Sequence, residues 1–318
     1  MNMSHSKYEN LKSPANKIAS RLLKGCSEIL KDGLGILTET IQFMELFRVG
    51  HLDFVPRADD IFLVTYPRSG TTWMQMILYQ LASRGNMDFT HICQVAPWFE
   101  RVISFNVMSS EAIEAIPSPR IFKSHLSYRW IPKGQCKYIY VMRNGKDVAV
   151  SFFHFYKSHL GFKGDFSEFF DLFMRGKVQF GSWFEHVAGW REHLDNPNIL
   201  FLEYENLTRD LEGCLRRIIQ FCGFDVSSEQ FPEIMEKCSF AFMKKHESKF
   251  DHITATIWEK GYKQNAFLRK GEIGSAKTYL NERQEKLFEQ KSEKYIGKFG
   301  ANDDLHIPAS PHPSTRNP

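Results

Sequence analysis

A buried strand, a tight turn and a helix follow one another directly near residue 60, and this succession constrains the fold more than any other feature. Residues 61–66 (IFLVTY) are a run of apolar and β-branched side chains that Pro67 stops. From residue 70 to residue 82, apolar side chains recur at helical spacing. Because a strand without a polar side is covered on both faces, the sequence predicts a parallel sheet between layers of helices.

Later segments repeat the pattern of a short apolar run, a polar turn and a helical stretch. We predict further strands at 120–123, at 138–143 (YIYVMR) and at 199–203 (ILFLE). The helix after the strand at 138–143 is expected to begin near Lys146 and to run towards Tyr156. The fold class is therefore α/β, with a central parallel sheet flanked by helices.

Composition and charge limit the possible partners. Lysine and arginine (41) exceed aspartate and glutamate (37) by only four, far from the basic stripe of a nucleic-acid binder. Six irregularly spaced cysteines indicate reduced thiols, and no run of about 18 apolar residues predicts a membrane span. We expect a cytoplasmic protein with a partly helical preface (1–45), one domain (46–300) and a flexible proline- and serine-rich tail (301–318).

The turn after the first strand has the chemistry of an anion site. At a helix N-terminus the backbone N–H groups are unpaired donors, and a glycine allows close approach. The side chains that would assist are Arg68, Ser69, Gly70, Thr71 and Thr72. Taken alone, the turn is equally compatible with a simple helix cap. The pattern G-x-x-x-x-G-K-[ST] is absent from it, which argues against an ordinary P-loop nucleotidase.

This P-loop-like turn, YPRSGTTW at 66–73, resembles the 5′-phosphosulfate loop of the cytosolic sulfotransferase family, normally written YPKSGTTW. Arg68 stands where many members have lysine. The resemblance extends over roughly residues 55–300 and implies the sulfotransferase fold, a single α/β domain.

A second match is FKSHL at 122–126, similar to the family's K-T-H-L stretch. A histidine near its ordinary pKa can accept a proton from an alcohol at neutral pH. Lys123 lies two residues before His125, and positions i and i+2 of a strand share one face. A cation and a base are therefore expected side by side.

The third match, residues 140–151, is similar to the family's 3′-phosphate segment, in which Arg143 supplies charge and Ser151 a hydroxyl. Weaker matches imply contacts to the adenine base. Tyr204 stands at the family's adenine-side tyrosine, and Trp73 is expected to stack on the base. The other residues of this group are Cys238, Phe240 and Met243.

The last match, residues 267–277, is similar to the family's R-K-G-x-x-G-x-x-K closing loop, and its implied donor contacts are Phe267, Leu268, Arg269, Lys270 and Gly271. Ala276 replaces the usual tryptophan, and residues 277–282 depart from the family's dimerisation stretch. We therefore expect a monomer, or a dimer that does not use the usual family motif.

The resemblance implies a donor, 3′-phosphoadenylyl sulfate (PAPS), and a product, adenosine 3′,5′-bisphosphate (PAP). His125 would remove the acceptor proton, Lys123 and Arg68 would stabilise developing charge, and Ser151 would order the 3′-phosphate. No metal is expected, because no acidic or histidine cluster has metal-ligand spacing.

The acceptor is expected to be a small-molecule hydroxyl or amine in an aromatic pocket, for which the candidates are Trp98, Phe99, Phe155 and His159. Alternatives remain open. A P-loop-like small-molecule kinase would need a Walker lysine and a magnesium carboxylate, and neither is found. A non-catalytic nucleotide-binding protein on the same fold would not need the intact Lys123 and His125 pair. Sulfation that activates an alcohol for elimination is a further possibility.

Overall fold

Four parallel strands form the centre of the protein. The computed structural model describes residues 54–104, 108–250, 268, 271 and 273–297. The strands are β1 (Ile61–Thr65), β2 (Ile121–Ser124), β3 (Lys137–Met142) and β4 (Ile199–Glu203). They pair in the order β2-β1-β3-β4. All predicted strands are confirmed, with ends displaced by at most one residue. The preface (1–45) and the tail (301–318) lie outside the described residues.

Helices cover the sheet. Those of the described residues are α1 (Thr71–Ser83), α2 (Phe99–Ser104), α3 (Ser110–Glu114), α4 (Gly145–His159), α5 (Phe166–Met174), α6 (Trp183–Arg191), α7 (Tyr204–Arg209), α8 (Leu211–Cys222), α9 (Phe231–Lys237), α10 (Phe240–Lys245) and α11 (Glu282–Ile296). Helices α1 and α4 confirm those predicted after β1 and β3. Within these described segments, no helix has both the length and the apolar character needed to cross a bilayer.

The continuous apolar run of β1 is explained by burial on both sides of the sheet. Phe62 and Val64 face one core, to which α4 contributes, and Ile61 and Leu63 face a second core, to which α1 contributes. Every residue of β1 is buried. A strand in this position has no solvent face, so alternation of polar and apolar residues is lost.

The strand order creates a crevice at one end of the sheet. From β1 the chain first builds β2 on one side and then returns to place β3 on the other side. Connections from the carboxyl ends of β1 and β3 therefore diverge, and open parallel sheets bind ligands at such a switch point. The predicted anion-binding turn follows β1, and Arg143 follows β3.

A buried ion pair fixes the opposite end of the sheet. Arg120, immediately before β2, donates through Nε and Nη2 to the two carboxylate oxygens of Asp60, at 2.7 and 2.6 Å. Both side chains are fully buried. This bidentate pair holds the starts of β1 and β2 together, far from the crevice. Removal of either partner would leave the other charge buried without compensation.

Candidate functional site

One cavity opens at the carboxyl ends of the central strands. We call it the main cavity; its wall includes Arg68 and Gly70 after β1, Lys123 and His125 at the end of β2, and Arg143 after β3. The structure therefore brings together residues from three of the segments matched in the sequence. Arg68 and Arg143 are 75 positions apart in the sequence and are nevertheless in direct contact: the Nη1 of Arg143 donates to the carbonyl of Arg68 at 3.0 Å.

The turn between β1 and α1 requires glycine. Gly70, the N-cap of α1, has a φ of 92°, and a Cβ atom there would lie 2.7 Å from Cδ2 of Tyr204. No side chain in the described part of the protein caps α1. Its first N–H groups are therefore available as donors to an anionic ligand.

Hydroxyl groups line the same turn. Thr71 and Thr72 line the main cavity, and Thr71 Oγ1 lies 2.6 Å from Thr65 Oγ1. Ser69 is buried beneath the turn rather than in the cavity wall, and its Oγ has no hydrogen-bond partner among the described residues. The predicted donor contact of the Ser69 side chain is therefore corrected: Thr71 and Thr72 line the cavity, and Ser69 does not.

The sequence predicts one anion site after β1 and another after β3, and contacts of Arg68 connect the two. The Nε of Arg68 donates to Ser151 Oγ at 3.3 Å, and its guanidinium lies 5.1 Å from the ring centroid of Phe155. Arg143 also packs over the ring of Tyr204, 4.2 Å from the centroid. A ligand with two anionic groups would therefore meet one connected cationic surface.

Aromatic side chains form another part of the wall. The predicted adenine contacts Trp73, Tyr204, Phe240 and Met243 line the main cavity. The ring centroids of Trp73 and Tyr204 lie 5.7 Å apart, edge to face. Cys238 differs from the prediction: it is fully buried behind this wall, and its carbonyl accepts a hydrogen bond from the Trp73 indole at 2.6 Å. Cys238 thus holds Trp73 and does not line the cavity.

The closing loop reaches the cavity at two described positions, Leu268 and Gly271. The predicted contacts Phe267, Arg269 and Lys270 lie outside the described residues.

Asp147, which the sequence analysis missed, anchors the next part of this loop to α4. Its carboxylate accepts the backbone N–H of Gly274 at 2.7 Å and that of Ala276 at 2.9 Å. The Ser275 hydroxyl adds a third bond at 3.2 Å. The only sequence signal was the position of Asp147 inside the matched segment 140–151, because an acidic residue in a first helical turn is ordinarily explained by the helix dipole.

His125 is held in one tautomer. Its Nδ1 lies 2.8 Å from the carbonyl oxygen of Thr65. A carbonyl can only accept, so Nδ1 carries the proton and Nε2 is the proton acceptor of the ring. Burial, and next the positive charge of Lys123, hold the pKa of His125 well below its usual value of 6.5. The imidazole is therefore neutral and competent to take a proton at physiological pH.

Lys123 is a buried cation beside this base. Its Nζ lies 3.9 Å from the ring centroid of Trp98. Burial lowers the pKa of Lys123 from 10.5 to about 8, so the side chain is mostly charged at neutral pH. Behind the pair, the carboxylate of Glu100 accepts the backbone N–H of His125 at 2.7 Å and fixes the end of β2.

The four predicted acceptor-pocket residues divide into two groups. Trp98 and Phe155 line the main cavity. Phe99 does not, because it is packed in the core against Phe62, at 5.2 Å between ring centroids. His159 also lies behind the wall: it is buried and stacked on Phe155 at 4.7 Å. These two positions correct the prediction: each side chain packs into the protein interior and does not line the main cavity.

Several cavity residues were missed by the sequence analysis. Phe180 has a left-handed φ of 66°, and its ring lies 5.0 Å from that of His125. A strained, bulky residue of this kind is frequent at functional sites, but no motif predicts it. The other missed residues include His91, Cys93, Arg101, Gln179 and Phe250.

The chemistry of the site is that of charge stabilisation and proton transfer. Among the described residues, no group of three or more His, Cys, Asp or Glu side chains is placed to hold a metal ion. The cavity offers fixed cations, backbone donors and the neutral imidazole of His125, which together suit the transfer of an anionic group.

Comparisons with known proteins agree with this chemistry. A family model described as "Sulfotransferase domain" matches residues 58–300. Human sulfotransferase 1C2 is 35% identical over 257 residues, which cover 76% of this chain and 85% of that protein. Rabbit (Oryctolagus cuniculus) amine sulfotransferase is 35% identical over 260 residues, 78% of this chain and 85% of that protein. The crystal structure of mouse sulfotransferase SULT7A1 complexed with PAP has a TM-score of 0.64 and 32% identity, covering 83% of this chain and 92% of that chain.

Proposed function

This chain belongs to the sulfotransferase family, and we propose that it moves a sulfuryl group from PAPS to a hydroxyl or amine of a small-molecule acceptor, releasing PAP. One observation carries this proposal: His125 and the cation Lys123 line the same cavity. The Nδ1–H of His125 donates to the carbonyl of Thr65, which leaves Nε2 as the proton acceptor. That cavity also contains the anion-binding turn after β1.

The donor is assigned to the part of the main cavity built by the turn, Arg143 and the aromatic wall. The start of α1, which no described side chain caps, and the hydroxyls of Thr71 and Thr72 in the cavity wall suit the 5′-phosphosulfate. Arg143 and Ser151 suit the 3′-phosphate, and Trp73 and Tyr204 suit the base. The family resemblance adds Phe240, Met243 and the closing loop, including Phe267, Leu268, Arg269, Lys270 and Gly271.

PAPS, when bound, supplies the sulfuryl group. His125 then acts as the general base, because its Nε2 accepts the proton of the acceptor hydroxyl or amine while Nδ1–H stays bonded to Thr65. Lys123 and Arg68 offer fixed positive charge, and Ser151 is placed beside Arg68 at 3.3 Å. Trp98 and Phe180, which stack on each other, both pack against the imidazole, at 5.2 and 5.0 Å between ring centroids.

The same proposal extends to domain organisation and assembly. We assign the catalytic domain to residues 46–300 and propose a monomer, or a dimer that does not use the family's usual motif. Tyr279 supports this, since it packs within its own chain: its hydroxyl lies 2.8 Å from His154 Nε2, and its ring lies 5.2 Å from Phe166. Sedimentation velocity at several protein concentrations tests it.

The activity is tested with labelled PAPS and a panel of phenols, alcohols and amines, with the product identified by mass. We expect sulfated product from the wild type and at least about a hundredfold lower turnover from His125→Ala, because the general base is lost. PAP should still bind this variant. His193→Ala is the matched control, since His193 stacks on Tyr128 at 3.5 Å, outside the wall of the main cavity.

Two results would contradict the proposal. Wild-type turnover in His125→Ala would remove the general base from the mechanism. Tight binding of ATP with magnesium, in preference to PAP, would instead favour the alternative of a small-molecule kinase.

A further inference from the structure

Besides Arg68 and Lys123, a third cation lies near His125 in the wall of the main cavity. Arg101, the third residue of α2, lines this cavity although it is only 9% exposed. Its guanidinium lies 4.2 Å from the ring centroid of Trp98, and the Nζ of Lys123 lies 3.9 Å from the same centroid. Two cations thus share one indole, and Arg101 is held close to the residues proposed to act on the acceptor.

The charge of Arg101 reaches those residues. Burial is the main cause that lowers the pKa of Lys123 and of His125, and the positive charge of Arg101 lowers both further. Burial raises the pKa of Cys93, another residue of the cavity wall, and Arg101 opposes that increase. Arg101 therefore contributes to the electrostatic potential at the acceptor end of the cavity.

Arg101 does not belong to the surface assigned to the donor. It comes from α2, and none of the segments matched to donor binding includes α2. Arg101 packs on Trp98, and the wall of the same cavity also contains the aromatic side chains of Phe155, Phe180 and Phe250. The preceding residue, Glu100, directs its carboxylate to the backbone of His125. A largely buried guanidinium in a cavity wall interacts most strongly with a ligand that brings negative charge.

We propose that Arg101 binds an anionic group of the acceptor, and that the preferred acceptors are phenols or alcohols that carry a carboxylate. This inference rests on the proposed function for the acceptor site. A guanidinium is planar and pairs well with a carboxylate, and the aromatic wall accommodates the body of the acceptor. Arg101 thus determines specificity, and the proton transfer is left to His125.

Binding tests the inference without turnover. The full-length protein, saturated with PAP, is titrated by calorimetry with a series of phenols and alcohols, each as the free carboxylate and as its methyl ester; 4-hydroxyphenylacetate is one such pair. The wild type should bind the carboxylates more tightly than the esters by about ten- to a hundredfold, as expected for a charged hydrogen bond. In Arg101→Gln this ratio should fall at least about tenfold, and Arg101→Lys should restore part of it.

Arg175→Gln is the matched control, because Arg175 is an exposed cation paired with Asp171 on α5. It should keep the wild-type ratio. Equal binding of acids and esters by the wild type across the series, or an unchanged ratio in Arg101→Gln, would overturn the inference.

Turnover of the same pairs separates this inference from the proposed function. Sulfation that is lost in His125→Ala supports the function whatever the result for Arg101. A carboxylate preference in binding, with no sulfation of any acceptor, would reject the function and leave the anion site of Arg101 in place.

Discussion

Lys123 is expected to lose its proton within the pH range of an ordinary assay. Burial at the end of β2 lowers its pKa from 10.5 to about 8, so the side chain is charged below that pH and neutral above it. The charged fraction falls from about nine-tenths at pH 7 to about one-tenth at pH 9. Because the proposed donor is anionic and needs the cation, kcat/KM for PAPS should fall about tenfold over this interval.

The assay measures kcat/KM for PAPS between pH 6.5 and pH 9.5 with an alcohol acceptor, which does not titrate there. Lys123→Arg keeps its charge throughout and should give a flat profile above pH 7. The chain offers a matched control in Lys133, whose pKa burial also lowers to about 8. Its Nζ donates to the carbonyls of Tyr128 and Ile131, outside the main cavity, so Lys133→Arg should retain the decline.

Two outcomes would refute this reasoning. The first is a wild-type kcat/KM that stays constant up to pH 9, which would mean that the charge of Lys123 is not needed or does not titrate there. The second is a decline that persists unchanged in Lys123→Arg, which would assign it to another group.

Three further substitutions test how the site is held. Gly70→Ala should reduce PAP affinity at least about tenfold, because its φ is 92° and the added Cβ would lie 2.7 Å from the Tyr204 ring. Gly223→Ala, at the end of α8 and outside the main cavity, is the control: its φ is 72° and its Cβ would meet nothing closer than 4.0 Å, so it should leave PAP affinity unchanged. Asp147→Asn should weaken PAP binding about tenfold in a titration, since an amide can accept only part of the hydrogen bonds that anchor the closing loop. Glu100→Leu should lower the free energy of unfolding in urea by about 1–3 kcal/mol, because a buried N–H loses its acceptor, whereas Glu100→Gln should retain most of the stability.

Local sequence determined the sheet and the chemistry at its edge. The strands were predicted to within one residue because a strand buried on both faces is a continuous apolar run, and because the turns that end it are polar. Parallel strands place their carboxyl ends at one edge, so the residues after β1, at the end of β2 and after β3 had to meet. In the sequence, Arg68, His125 and Arg143 were grouped by the resemblance of their three segments to the motifs of one family, and the parallel sheet is the physical reason that they meet in one cavity.

The neighbours of each side chain were decided by the tertiary structure. Phe99 and His159 are of residue types common in ligand pockets, but their side chains are buried in the core. Helical spacing shows which residues share a face of a helix, but it does not show what that face packs against. The bond from Arg68 to Ser151 and the stacking of Arg101 on Trp98 join residues from different elements. Such contacts depend on how helices pack on the sheet, and the energy that selects one packing is summed over many distant residues rather than encoded in a local pattern.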